Sequence, residues 1–172
     1  MPSTISEVYA GLAGSDLLET IADTVVKMFT RIADETVKPA PCSDDPSRAK
    51  GFDFTVHQEF RGGFAGVLAL NMTVDLLQRI AGKMLGEEVK DPGEEAQDGA
   101  AEFLNIVSGN ICAKLSAFGK SADIAPPKVH DNRGGTKIDL AGVAAGGRVV
   151  VTPLLHPESG VELVVVERGT GA

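Results

Sequence analysis

The sequence predicts an α+β domain in which two long helices and a short one pack on a largely antiparallel β-sheet. Three observations carry this. Apolar residues recur at helical spacing in three stretches, near residues 16–38, 73–85 and 92–118. Between and after them lie β-rich runs separated by Gly-Gly and Pro-Glu-Ser-Gly turns, which favour antiparallel neighbours. The order is helix, hairpin, short helix, long helix, strands. It reads as pseudo-two-fold halves, each opening with a long helix and continuing into strands.

Taken in order, residues 1–14 are small and polar and read as a flexible N-terminal lead, leaving 15–172 as a single domain. Asp16 with Glu19 three positions later reads as a capping box. The helix that follows buries Leu18, Ile21, Val25, Met28 and Ile32, with Phe29 nearby. It stops before Pro39, because a residue preceding proline is turned away from the α region. Residues 39–50 hold Pro, Ser and Asp and read as a loop. Phe52, Phe54 and Val56 then alternate with Asp53, Thr55 and His57, the period of a half-buried strand. Gly62-Gly63 supplies a turn and residues 64–70 return.

The short helix spans 73–85, with Val74, Leu77, Ile80 and Met84 inward and Gly86 as its stop. Asp91-Pro92 reads as an N-cap and a proline at the first helical position, with Glu94 and Glu95 at the positive helix end. The second long helix starts there or nearer Asp98, because Gly93 and Gly99 weaken the turn between. Gly119 closes it. Beyond Pro126-Pro127, Val129 is a candidate edge residue, and runs 137–143, 148–155 and 161–167 read as strands. The last, rich in Val164, Val165 and Val166, would be a hazardous edge if left uncovered.

At 172 residues and 43% hydrophobic, the chain can fill one core but hardly two. A net charge of −8 argues against nucleic-acid binding, which needs clustered Lys and Arg. No apolar run reaches the length of a membrane span, and Met-Pro-Ser-Thr-Ile-Ser-Glu lacks the basic and apolar regions of a signal peptide. A cytoplasmic protein is the expectation. Cys42 and Cys112 imply no disulfide framework.

The chemistry points to the second long helix. Ala100, Leu104, Val107, Ile111, Leu115 and Phe118 form one apolar stripe, and Asp98, Glu102, Asn105, Gly109, Ala113 and Ser116 lie opposite. Glu102 and Asn105, three residues apart, are neighbours on that face and can act on one partner. Gly109 inside a helix costs about 1 kcal/mol relative to Ala, so it calls for a packing or approach reason. Beside the pair, Gly109 and Ala113 would let another backbone come close. The plain alternative is a solvated face with one awkward glycine.

Other chemistry fails on spacing. His57, His130 and His156 are solitary, with no metal-ligand spacing, and read as surface or strand-edge residues. Gly119-Lys120-Ser121 resembles a P-loop tail, but Lys114 stands where its first glycine belongs and a helix precedes it. No Gly-x-Ser-x-Gly elbow exists.

The string Glu102-Phe-Leu-Asn105-Ile-Val-Ser-Gly109-Asn110, with Asp98 before it and Pro126 or Pro127 after it, resembles the signature of the CheC/CheX/FliY chemotaxis phosphatases. The stretch from Met28 to Pro39 is similar to the end of the first helix of CheX-type members. The resemblance implies a CheC-like fold and hydrolysis of the aspartyl-phosphate of a CheY-like response regulator, which itself supplies Mg²⁺ and a lysine. It implies that Glu102 anchors that lysine, that Asn105 orients the attacking water, and that Asp98, Gly109 and Ala113 meet the partner. No cofactor is implied on this chain, and a homodimer is. An amide suits the task because it both donates and accepts without adding negative charge near a phosphate. Family members with two sites carry the motif on both long helices. Here the first presents Glu19-Thr-Ile-Ala22, and alanine cannot position water, which implies one site per chain. A docking module using the same face without turnover is the alternative.

Overall fold

The computed structural model describes residues 4–168. Helices α1 (Ile5–Tyr9), α2 (Ser15–Ala33), α3 (Val74–Leu85) and α4 (Glu94–Lys114) bury their apolar stripes together on one face of a seven-stranded sheet. The strands are β1 (Lys38–Pro39), β2 (Phe54–Gly62), β3 (Gly66–Met72), β4 (Ala122–Ile124), β5 (Lys128–Asp131), β6 (Arg148–Leu155) and β7 (Val161–Glu167). Their order is β1-β6-β7-β3-β2-β4, with β5 also on β2, and every pairing is antiparallel. The expected α+β arrangement, helices on one face of an antiparallel sheet, is therefore present.

The helix-facing side of the sheet is set by period-2 alternation. On β2 the inward residues are Phe54, Val56, Gln58 and Phe60, and on β3 they are Leu68, Leu70 and Met72. Phe29 of α2 meets Phe103 of α4 at a ring separation of 5.1 Å, tilted by 57°, an arrangement aromatic pairs favour. Helix α3 ends at Gly86 with φ 74°, the left-handed cap that glycine adopts without strain.

Several expectations change, among them the Asp91-Pro92 start of the second long helix, whose N-cap is Gly93. The lead is not all flexible. Thr4 accepts from the Glu7 N–H while Glu7 accepts from the Thr4 N–H, a capping box that starts α1. Tyr9 at its end is 1% exposed, and its hydroxyl lies 2.6 Å from Thr152 Oγ1 on β6. Residues 1–3 lie outside the described residues. The capping box expected at Asp16 and Glu19 is absent, because α2 begins two residues earlier, at Ser15, after Gly14 in a left-handed conformation.

Run 137–143 is not a strand. Asp139 caps a short helix, α5 (Leu140–Val143), by accepting from the Gly142 N–H. Leu140 and Ala144 pack onto the second face of the sheet, against Val67, Ala69, Val149, Val151, Val164 and Val166. That segment covers β3, β6 and β7 on their second face, and β2 is buried on both faces as well. Thr55 donates to Asn71 Oδ1 and accepts from Asn132 Nδ2, forming a buried polar row. Strand β7 is no edge either, since β6 and β3 flank it; Val129 does stand on an edge, in β5. Finally, His57 is buried on β2, and burial, with Lys128 and His130 adding, holds its imidazole below the ordinary value. The His156 side chain is 6% exposed and hydrogen-bonded to Glu35.

Candidate functional site

Helix α4 carries its stripe as the spacing predicts: Ala100, Leu104, Val107, Ile111 and Leu115 are buried, and Phe118 is half-buried. The helix is preceded by Gly93 and passes through a short 3-10 turn before Gly119 ends it. Its two weak points have different explanations. A Cβ on Gly99 would collide with Ala81 of α3, so this glycine serves the helix crossing. A Cβ on Gly109 would meet nothing within 4 Å, so the fold gives no reason for it.

Asp98, Glu102, Gly109, Ala113 and Ser116 are exposed and share one face. Asn105, one turn from Glu102, is half-buried, because α4 runs beside β2 there. Gln58 Nε2 donates to Asn105 Oδ1 at 2.9 Å and to the Ala125 carbonyl at 2.7 Å. Neighbouring Asn110 turns its amide back onto the Ile106 carbonyl at 2.9 Å and takes no part. Lys114 Nζ, at the far end, reaches Thr24 Oγ1 at 2.9 Å and ties α4 to α2.

The structure thus brings Glu102, Asn105, Asp98, Gly109 and Ala113 onto one surface, as the spacing required. Sequence reasoning missed Gln58. Its signal was a polar residue in the inward phase of a strand, following Phe54 and Val56. On α2, Ala22 is fully buried.

Negative charge gathers where α4 begins: Glu94, Glu95 and Asp98 are exposed, and Glu87 beside Glu95 pushes the Glu95 carboxyl up, by hydrogen bonding and then by charge. Among the described residues, no three His, Cys, Asp or Glu side chains converge on a point that could hold a metal. No described helix is long and apolar enough to cross a membrane. A concavity of about 960 Å³ lies between the end of α2, α3 and the loop 86–90, and none of the predicted site residues lines it. The candidate site is a convex helix face. It suits insertion into a partner's cleft better than capture of a free small molecule.

The family model described as chemotaxis phosphatase CheX matches residues 54–150. No curated protein matches the sequence. Among solved structures, the chain is similar to chemotaxis protein CheX from Vibrio vulnificus, with TM-score 0.76, 18% identity, and 89% of this chain covering 99% of that one. It is similar to a CheC-like superfamily protein from Shewanella sp. PV-4, with TM-score 0.75, 24% identity, and 90% of this chain covering 98% of that one. It also resembles a chain of the CheX–CheY–BeF3–Mg²⁺ complex from Borrelia burgdorferi, with TM-score 0.68, 20% identity, and coverage of 89% and 98%.

Proposed function

The chain belongs to the chemotaxis phosphatase CheX family, and from that premise we propose that it hydrolyses the aspartyl-phosphate of a CheY-like response regulator, with Glu102 and Asn105 doing the work. One observation carries the reading. An exposed carboxylate and a carboxamide held by a buried partner stand one turn apart on a helix whose backbone is bare at Gly109.

The roles follow from charge. Glu102 meets the regulator's lysine and docks the helix over the phosphorylated aspartate. The charge around Asp98 and the start of α4 favours a regulator face that is basic, and Gly109 with Ala113 lets its backbone approach. Asn105 reaches the phosphoryl group. Phosphoryl transfer demands positioning and charge stabilisation rather than covalent help, and Asn105 holds a water in line with the leaving carboxylate. Mg²⁺ sits on the regulator, where it neutralises the phosphoryl oxygens. This chain needs no cofactor of its own for these steps. One site per chain follows from the buried Ala22. A homodimer joined through the sheet completes the proposal, using β1 or the β4 and β5 side, since β7 is internal. The setting is the cytoplasm, where the regulator is.

The test is phosphate release from a phosphorylated CheY-like regulator encoded in the same genome. Accelerated loss that disappears in Asn105→Ala supports the reading. Binding without acceleration would make the chain a docking module instead.

A further inference from the structure

We propose that Gln58 is a positioning residue that fixes, before any partner arrives, which end of the Asn105 carboxamide faces outward. The inference rests on the reading of Asn105 as the group that orients water. Gln58 is 1% exposed, in the inward phase of β2 between Val56 and Phe60. Its Nε2 donates to the Ala125 carbonyl at 2.7 Å and to Asn105 Oδ1 at 2.9 Å.

The polarity of this chain of contacts is chemically forced. A backbone carbonyl only accepts, so the amide of Gln58 must turn its NH2 end toward Ala125. Its second N–H then reaches Asn105, and an N–H selects the carbonyl oxygen. Asn105 therefore holds Oδ1 inward and presents Nδ2 outward. One lone pair of Oδ1 is engaged, the other remains for a hydrogen of the attacking water, and the two Nδ2 hydrogens remain for phosphoryl oxygens.

The anchor is rigid. Ala125 N–H donates to the Glu59 carbonyl at 3.0 Å, continuing the ladder of β4 on β2. Ala125 also precedes Pro126, which keeps its backbone extended and its carbonyl direction steady. Pro126 thus acts on the site at two removes, through Ala125 and Gln58. A cost accompanies the arrangement: Gln58 Oε1 is buried without a partner among the described residues. An apolar side chain would fill the position without that loss, so what the glutamine contributes lies in its N–H groups.

The experiment uses the full chain, ¹⁵N-labelled, with Gln58→Met and Gln58→Glu. Side-chain amide resonances are assigned through Asn105→Ala, and turnover is measured on a phosphorylated CheY-like regulator. In the wild type both Gln58 amide hydrogens exchange slowly, and Asn105 shows two separate, displaced Nδ2 resonances. Gln58→Met moves the Asn105 pair to free-asparagine shifts and lowers kcat about 10- to 100-fold with KM unchanged, because only the alignment is lost. Gln58→Glu pulls Nδ2 inward and lowers kcat at least as far. Asn105 resonances indifferent to Gln58→Met, or a kcat that does not move in an active enzyme, would overturn the proposal. A wild type that never turns over, yet has a protected Gln58 amide coupled to Asn105, upholds the positioning and overturns the phosphatase reading alone.

Discussion

A methyl group on Gly99 of α4 would lie 2.7 Å from both Cα and Cβ of Ala81 on α3, so the two helices meet almost backbone to backbone. This crossing aims α4. Gly99 is buried in this crossing, while Glu102 and Gly109 farther along α4 are exposed. Gly99→Ala is therefore expected to destabilise the protein by about 1–3 kcal/mol through overpacking. Urea unfolding monitored by circular dichroism measures it, and a neutral result would mean the crossing is looser than described.

Gly109 behaves in the opposite way. Nothing within 4 Å opposes a Cβ there, and the helix loses only flexibility in the unfolded chain. Gly109→Ala is expected to stabilise the fold by up to about 1 kcal/mol. The same methyl stands where the regulator's backbone is proposed to approach, so KM for the phosphorylated regulator should rise. A variant both more stable and equally active would remove Gly109 from the docking surface.

Glu102 and Asn105 should separate in kinetics. Asn105→Ala removes alignment in the transition state and is expected to lower kcat by about 100-fold or more. Glu102→Lys should raise KM by turning attraction for a lysine into repulsion, while stability stays within about 0.5 kcal/mol. Steady-state turnover with thermal melts of each variant distinguishes the two. Equal effects on kcat would deny the division of labour.

Tyr9 predicts an alkaline limit. Burial, the larger effect, outweighs the hydrogen bond from Thr152 and pushes the hydroxyl from 10.0 up to about 12. Between those values the folded chain keeps a proton that the unfolded chain releases. The stabilisation is therefore complete below pH 10 and falls as pH rises toward 12, by about 3 kcal/mol in all. Denaturant unfolding at pH 9, 11 and 12 should follow this decline. In Tyr9→Phe the slope assigned to this hydroxyl should vanish.

Most of the fold was legible because its helices and central strands obey simple periods. The stripe from Ala100 to Leu115 has one buried phase, and the alternation from Phe54 onward sends its apolar phase toward the helices. Glu102 and Asn105 were legible for the same reason, since a wheel suffices to put them opposite the stripe. Two things were not. Ile138, Leu140 and Val143 have the composition of a strand, yet they serve a segment laid over a sheet, and composition does not say which side of a surface a residue approaches. Gln58 was hidden because its meaning lies in partners 47 and 67 residues away, at Asn105 and Ala125.

The segment over the second face has a further consequence. It is held by the buried Leu140 and Ala144 with Ile138, Ala141 and Val143 beside them, by the Asp139 cap, and by a hydrogen bond from Arg168 Nε to the Ala144 carbonyl at 2.7 Å. Beneath it remains a cavity of about 150 Å³ lined by Leu140, Ala141, Val149 and Val164 among others. A short covering segment of this kind is expected to open before the sheet itself does. What it then uncovers is a row of valines from β3, β6 and β7, which another chain can stick to. Filling that cavity is therefore expected to keep the valine row covered and to slow aggregation on warming, at a place far from the chemistry.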